Sequence, residues 1–212
     1  MDLYYIMKHN LLELFSGTHS VGNTMKDKYN IISLDFSTYK GIEPPTHQVD
    51  IMKWDYKQYP KDYFEVIWAS PPCVNYSILQ NGNYGRIIRG ELYTREVRER
   101  KMKESDIIGR KVMEIIEYFN PRLWFIENPQ TGKMKERDWI KDKPFYDIDY
   151  CMFSNWGYRK RTRFWTNRKG YHNTLCNKNC GNMENGKHKM GKGKSKLDRY
   201  RIPPKLILDL IG

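Results

Sequence analysis

The chain has 212 residues, with 37 Lys and Arg against 25 Asp and Glu, a formal charge of +12 and a pI near 9.4. Six Trp, sixteen Tyr and eight Phe exclude a largely disordered chain despite a mean hydropathy of -0.81, and the length suits one domain with a proper core. The charge excess calls for a polyanionic partner, nucleic acid ahead of an anionic membrane surface, and no apolar run approaches the ~20 residues of a membrane span.

Met1 to Asn10 alternates aromatic and polar residues and lacks the continuous apolar region of a secretory signal. Four scattered cysteines then imply reduced thiols in an intracellular compartment, not a disulfide framework. Leu11 to Phe15 predicts a first strand, followed by a glycine-containing turn, Ser16-Gly17-Thr18-His19-Ser20-Val21-Gly22. A helix over roughly Ser20 to Lys28, capped by Ser20, completes a strand–turn–helix unit. Such a unit lets backbone approach a nucleotide-like cofactor closely, although glycine after a strand is also ordinary turn chemistry. Asn30 to Asp35 predicts a second strand ending in a carboxylate, about twenty residues after the glycine turn, where an acid accepts from ribose hydroxyls or serves as a surface turn residue. Gln48 to Ile51 is a shorter strand end with Asp50 at its exit.

Phe64 to Ala69 is β-branched and aromatic, as suits a strand covered on both faces of a parallel sheet. Pro71 and Pro72 cannot continue a ladder, so Cys73 lies just past the carboxyl end of that strand. Open α/β sheets place their ligands there, although a cysteine in that position taken alone reads first as a small buried cap on a core strand. Asn75 to Arg100 shows no sustained period and predicts a long lid or binding loop, its aromatics and arginines (Tyr76, Tyr84, Arg86, Arg89, Tyr93, Arg95, Arg98) suited to bases and phosphates or to a solvated surface. Ser105 to Phe119 predicts a helix with one apolar face, ended by Asn120-Pro121. Leu123 to Ile126 is the next buried strand and delivers Glu127-Asn128-Pro129 to the edge that carries Cys73. Strand, crossover helix and strand make a parallel sheet, hence an α/β fold.

Tyr146 to Phe153 predicts a further strand. Tyr158 to Thr166 alternates so that Arg159, Arg161 and Arg163 share a face, which requires something anionic opposite. From Arg168 to Arg201, Lys, Asn and Gly dominate and large aliphatics nearly vanish. His172, Cys176, Cys180 and His188 lie in that stretch, and their spacing resembles a zinc-ligand set in a segment that would gain order from metal; a flexible basic nucleic-acid arm is the alternative. Arg201 to Ile211 reads as a short closing helix started by proline, and no internal repeat is present.

Taken in order, Glu13-Leu14-Phe15-Ser16-Gly17, Asp35, Asp50-Ile51, Pro72-Cys73-Val74-Asn75-Tyr76-Ser77, Glu127-Asn128-Pro129 and Arg159-Lys160-Arg161-Thr162-Arg163 resemble the motif series of DNA cytosine-5 methyltransferases, in particular compact members from phages and large viruses. The likeness runs from about Leu11 to Thr166, and Ile202-Pro203-Pro204 is similar to the family's closing segment. It implies a Rossmann-like S-adenosylmethionine-dependent fold with a mostly parallel sheet. The catalytic domain is then expected over 1–167 and 198–212, with 168–197 a small basic insertion in place of a full target-recognition domain.

By the same resemblance, Cys73 is the nucleophile on a Pro72-Cys73 turn that Asn128 fixes, Glu127 engages N3 of cytosine, and Arg161 and Arg163 hold the base and its developing charge. Phe15, Ser16, Gly17 and Thr18 line the cofactor, Asp35 takes the ribose hydroxyls, Asp50 the adenine amine and Ile51 the adenine ring, with Phe36 and Ser70 completing the set. Duplex DNA with a flipped target base is the implied substrate. The alternatives are an RNA cytosine-5 methyltransferase and a basic nucleic-acid-binding module that keeps the fold without turnover. Three positions depart from the family pattern: His19 replaces a second glycine and crowds the methionine end, Val74 replaces a glutamine after the cysteine, and Arg159 replaces a glutamine before the arginines.

Overall fold

The structure is a computed structural model that describes residues 9–191 and 195–212; Met1 to Lys8 lie outside the described residues. The first half holds strand β1 (His9–Leu14), helix α1 (Ser20–Met25), strands β2 (Tyr29–Asp35), β3 (His47–Gln48) and β4 (Val66–Ala69), the small hairpin β5 (Ile87–Ile88) and β6 (Glu91–Leu92), and the long helix α2 (Arg95–Phe119). Then come β7 (Leu123–Pro129), β8 (Phe145–Asp149), β9 (Arg161–Thr166), the hairpin β10 (Met183–Glu184) and β11 (Lys187–His188), and helices α3 (Lys196–Tyr200) and α4 (Pro204–Ile211).

Seven strands form one sheet in the order β3-β2-β1-β4-β7-β9-β8. The first five run parallel, and β9 enters antiparallel to both β7 and β8. This is a Rossmann-like α/β sheet in which β1 and β4 are central, and the composition says why: all four residues of β4 are fully buried, as a strand covered on both faces requires. On one face Leu12, Leu14, Ile67, Ala69 and Ile126 pack under Val112, Ile115, Ile116 and Phe119 of α2. On the other, Leu11, Val66, Trp68 and Phe125 meet Val21 and Met25 of α1 and Leu206, Ile207 and Leu210 of α4. Burial of each such side chain contributes about 1.5–3 kcal/mol. No helix among the described residues is long and apolar enough to cross a membrane.

Register makes one sheet edge. Leu14 pairs with both Leu34 and Ala69, and Ala69 pairs with Ile126, so the four strands are level at one edge, where β1 and β4 end and β7 runs on to Pro129. The next residue on each strand, Phe15, Asp35, Ser70 and Glu127, therefore falls along a single line.

Several expected boundaries shift. Helix α2 starts at Arg95, ten residues before the apolar period begins, with the Thr94 side chain accepting from Val97 N at 3.3 Å as its cap. Its buried stripe continues upstream through Arg98, Met102, Ser105 and Asp106, and the polar members hid it from an apolar count. The stretch from Asn75 to Arg100 is accordingly no structureless loop: it holds a 3₁₀ turn (Ile78–Asn83), the β5–β6 hairpin and the first turn of α2. Tyr76, Tyr93 and Arg98 are buried there, and Arg98 donates to Asn81, to Tyr84 Oη at 3.1 Å and to Ser77 O at 3.2 Å, so these three hold the segment together. Helix α1 ends at Met25, β3 spans two residues, and β8 ends at Asp149 in a 3₁₀ turn instead of continuing to Phe153. Strand β9 begins at Arg161, which leaves Arg159 exposed outside it.

Candidate active site

The exit of β1 bends sharply. Phe15 (φ 58°), Gly17 (φ 50°) and His19 (φ 52°) all adopt left-handed backbone, a conformation that bulky residues hold only where surrounding structure enforces it. His19 occupies the helix-capping position predicted for Ser20 and makes no side-chain cap; its Nε2 instead lies 3.0 Å from Glu43 O. Ser20 Oγ accepts from Ile202 N at 3.1 Å, tying the closing segment to α1. The capping role falls to Glu13, whose carboxylate accepts from Val21 N at 3.1 Å and Gly22 N at 2.9 Å. Burial pushes the Glu13 carboxyl up to about 7, against those two amides, and the Asp35 charge adds to the rise.

Gly17 N donates to Asp35 Oδ2 at 2.9 Å and Ser37 N to Asp35 Oδ1 at 2.8 Å, so the carboxylate at the end of β2 is oriented by the turn after β1. Beside it Phe36 is 72% exposed, an unusual state for a phenyl ring at a sheet edge. Ser16 Oγ is buried with no hydrogen-bond partner among the described residues. Thr18 Oγ1 lies 2.8 Å from Ser20 Oγ. Asp50 is half-buried and accepts from Met52 N at 3.0 Å, while Ile51 is packed in the core. Ser70 continues β4, its amide on Leu14 O at 3.2 Å and its hydroxyl accepting from Trp68 Nε1 at 3.3 Å.

Past Ser70 the chain turns through buried Pro71 and exposed Pro72 to a half-buried Cys73. The turn is pinned from two sides. Asn128 Nδ2 donates to Pro71 O at 3.0 Å, and Lys133 N donates to Tyr76 O at 2.8 Å. From behind, Asn75 Nδ2 donates to Ser105 Oγ at 2.9 Å and Tyr76 Oη to Asp106 Oδ1 at 2.9 Å. Asp106 in turn accepts from Arg137 and from Trp139 Nε1, so a buried network on α2 backs the cysteine turn.

Glu127 is buried at the end of β7, and Tyr150 Oη donates to its Oε2 at 3.5 Å. Burial raises the Cys73 thiol above its ordinary range, the Glu127 charge raises it further and Lys160 draws it back. Cys73 and Glu127 thus share one electrostatic neighbourhood. Lys160, 4.8 Å from the centre of the Tyr150 ring, and Tyr150 itself belong to this neighbourhood, and the sequence pattern singles out neither. Only the need for a cation near the thiolate could have pointed to Lys160.

Strand β9 brings Arg161 and Arg163 to the same edge, and their anionic counterparts stand directly opposite on β8. Arg161 forks Asp149 at 2.9 and 2.8 Å, and Arg163 forks Asp147 at 2.7 and 2.8 Å while lying 3.5 Å above the Phe145 ring. Each fork uses two of the five N–H donors of a guanidinium and fixes its plane.

The metal-ligand set read from spacing needs one change. Cys176, Cys180 and His188 converge, but the fourth member is Cys151 in the turn after β8; their ligand atoms all lie within 4.8 Å of one another and could hold a metal ion. His172 is exposed and stays outside the cluster, because the bridge from Ile148 to Thr174 runs the chain past it along the sheet edge.

A scan against models of protein families finds no match. A solved structure described as a "putative DNA modification methyltransferase" encoded within an E. coli prophage is similar over 75% of this chain, at 11% identity and a TM-score of 0.48; this chain spans 46% of its length. A Frog virus 3 (isolate Goorha) protein named a probable DNA (cytosine-5)-methyltransferase is 36% identical over 220 residues, covering 95% of this chain and 98% of the relative. An identity of that size, sustained from end to end, means that the chain belongs to the DNA (cytosine-5)-methyltransferase family.

Proposed function

We propose that the protein methylates C5 of cytosine in DNA, using S-adenosylmethionine and a transient bond from Cys73 to the base. The observation that carries this reading is that the Ala69–Ile126 pairing and the Asn128–Pro71 bond hold the Cys73 turn next to the Glu127 strand end, on the edge that also presents Gly17 and Asp35. The cofactor end fits a nucleoside: Asp35 is a carboxylate held in place for hydroxyls, Phe36 offers an open aromatic face, and the partnerless Ser16 hydroxyl lies at the turn. Phe15, Gly17, Thr18, Asp50, Ile51 and Ser70 would complete the cradle. The cofactor supplies, when bound, a methyl group made electrophilic by a sulfonium.

The chain's own residues make the base reactive. C5 of cytosine is a poor nucleophile; the Cys73 thiolate adds to C6, and the electron pair displaced from the ring double bond makes C5 enamine-like. Glu127 holds a proton at N3 and relieves the charge that builds there. Arg161 and Arg163, their guanidinium planes oriented by Asp149 and Asp147, would offer their remaining donors to the base, while Asn128 keeps Pro72 and Cys73 in register with Glu127. Loss of the C5 proton and expulsion of the thiolate restore the ring. The target base leaves its stack to reach this pocket, and the +12 charge of the chain supplies the phosphate affinity.

Incubation with duplex DNA carrying 5-fluorocytosine and S-adenosylmethionine tests the reading. Fluorine cannot leave as a proton does, so the expected result is a covalent protein–DNA complex that Cys73→Ala abolishes. Parallel arms with structured RNA separate the two nucleic acids: trapping on RNA alone would make this an RNA enzyme. No adduct on either substrate, together with no cofactor binding by calorimetry, would leave a fold-retaining binder and sink the proposal.

A further inference from the structure

We infer that Cys151, Cys176, Cys180 and His188 form a structural zinc site that clamps the basic segment after β9 onto the catalytic sheet. These residues converge from three separate places: the 3₁₀ turn Tyr150–Met152 after β8, the stretch after the Ile148–Thr174 bridge, and strand β11. His188 Nε2 lies 3.6 Å from Cys176 Sγ and 3.4 Å from Cys180 Sγ. A tetrahedral zinc with bonds of about 2.3 Å to sulfur and about 2.0 Å to nitrogen sets its ligand atoms roughly 3.5–3.8 Å apart; the two His188–thiol distances match that spacing, and all four ligand atoms lie within 4.8 Å of one another. Three sulfurs and one imidazole nitrogen are also the donor set of closed structural sites, with no position left for water.

The surroundings are built for it. Lys178 takes left-handed backbone (φ 63°) to turn the chain between the two cysteines. Asn185 (φ 47°) and Gly186 (φ 74°) make the tight turn that brings His188 back over Cys180. Buried Asn182 donates to Cys151 O at 3.0 Å and Ser154 O at 2.7 Å and accepts from Gly157 N at 2.9 Å, which fixes the backbone on both sides of the cluster. The segment has almost no aliphatic core of its own, so a metal would provide the order that burial does not.

The site also reaches the catalytic edge. Cys176 N donates to Asp149 Oδ2 at 2.8 Å, and Asp149 is the carboxylate that forks Arg161. As the thiols lose their protons to solvent and bind zinc, the peptide carrying that amide is immobilised. Zinc thereby becomes a remote support for Arg161. That second link rests on the reading of the edge as an active site; the metal site itself does not.

Metal content of the purified full-length chain, measured by mass spectrometry after dialysis, tests the inference without reference to methylation. The expected result is about one zinc per chain, retained in His172→Ala and lost in Cys151→Ser. Should Cys151→Ser fail to fold, cobalt exchange into the wild-type chain keeps the question open to test: three thiolates give an intense sulfur-to-cobalt charge-transfer band with tetrahedral d–d absorption. A chain without zinc and without that band, a zinc lost in His172→Ala but kept in Cys151→Ser, or a disulfide among these cysteines in freshly purified protein would each overturn it.

Discussion

Asn128 donates its side-chain amide to the carbonyl of Pro71 at 3.0 Å, binding the end of β7 to the turn that presents Cys73. The neighbouring strand ends carry the Cys73 thiol and the Glu127 carboxylate, and this bond ties one to the other. Asn128→Ala is expected to lower the single-turnover methylation rate by about 10- to 100-fold, since a shift of about 1 Å in a reacting group costs that much. Calorimetric cofactor affinity should stay within twofold of wild type, about 0.4 kcal/mol. Equal losses in both quantities would mean that Asn128 supports the fold instead of the turn.

Cys73 should impose a distinctive pH profile. Burial, then Glu127, raises its thiol above the ordinary range, with Lys160 in opposition. A raised pKa leaves less thiolate at neutral pH, so kcat/KM should climb with pH and level off above the ordinary thiol value. Lys160→Met removes the opposing charge and moves the rising limb to higher pH; Glu127→Gln moves it lower while depressing the plateau. An unmoved limb in both variants would separate the thiol from the measured ionisation.

Glu13 makes stability fall as pH rises. Its folded value is about 7 against 4.5 in the open chain, so the folded state holds a proton that the unfolded state releases between those limits. The stabilisation is complete below pH 4.5 and is lost as pH rises through about 7, an effect of about 3 kcal/mol. Chemical denaturation of wild type and Glu13→Gln across that window checks it: the difference between the two should change with pH by that amount, whatever constant offset the substitution adds.

Gly109 lies on the buried stripe of α2 against the Trp139 indole, and a Cβ there would overlap the ring. Gly109→Ala removes a helix-weakening glycine, which alone would add about 1 kcal/mol. Overpacking of this kind costs about 1–3 kcal/mol, so a net loss of stability is expected in thermal unfolding. Displacing Trp139 also disturbs its bond to Asp106, which backs Tyr76, so methylation should fall in the same variant.

Phe36 tests the cofactor end. An aromatic ring stacked on adenine is worth about 0.5–1.5 kcal/mol, so Phe36→Ala should weaken S-adenosylmethionine binding by about 2- to 13-fold without loss of stability, given the ring's exposure. Titration calorimetry together with a melting curve would show it.

The succession of main strands along the chain and the edge they share were legible in the linear sequence because their signals are local, whereas their order in the sheet was not. Aliphatic and aromatic runs such as Phe64 to Ala69, broken by Pro71, announce where a strand is buried and where it must stop. Glu127-Asn128-Pro129 and Pro72-Cys73 could be placed on one side for the same reason: parallel strands joined by crossovers end at the same edge. The early start of α2 was not legible, since Arg98, Ser105 and Asp106 fill core positions that an apolar count skips.

What only the tertiary structure decided is which distant groups meet. Asp147 and Asp149 oppose Arg163 and Arg161 through a one-to-one strand register, and Lys160 comes to bear on Cys73 through a chain reversal. Cys151, far upstream of the Cys176–Cys180 pair, replaced the nearer His172 because sheet pairing at Ile148 and Thr174 carries it there. Residue type sets what chemistry a side chain can do; long-range pairing, which no local spacing encodes, chooses its partner.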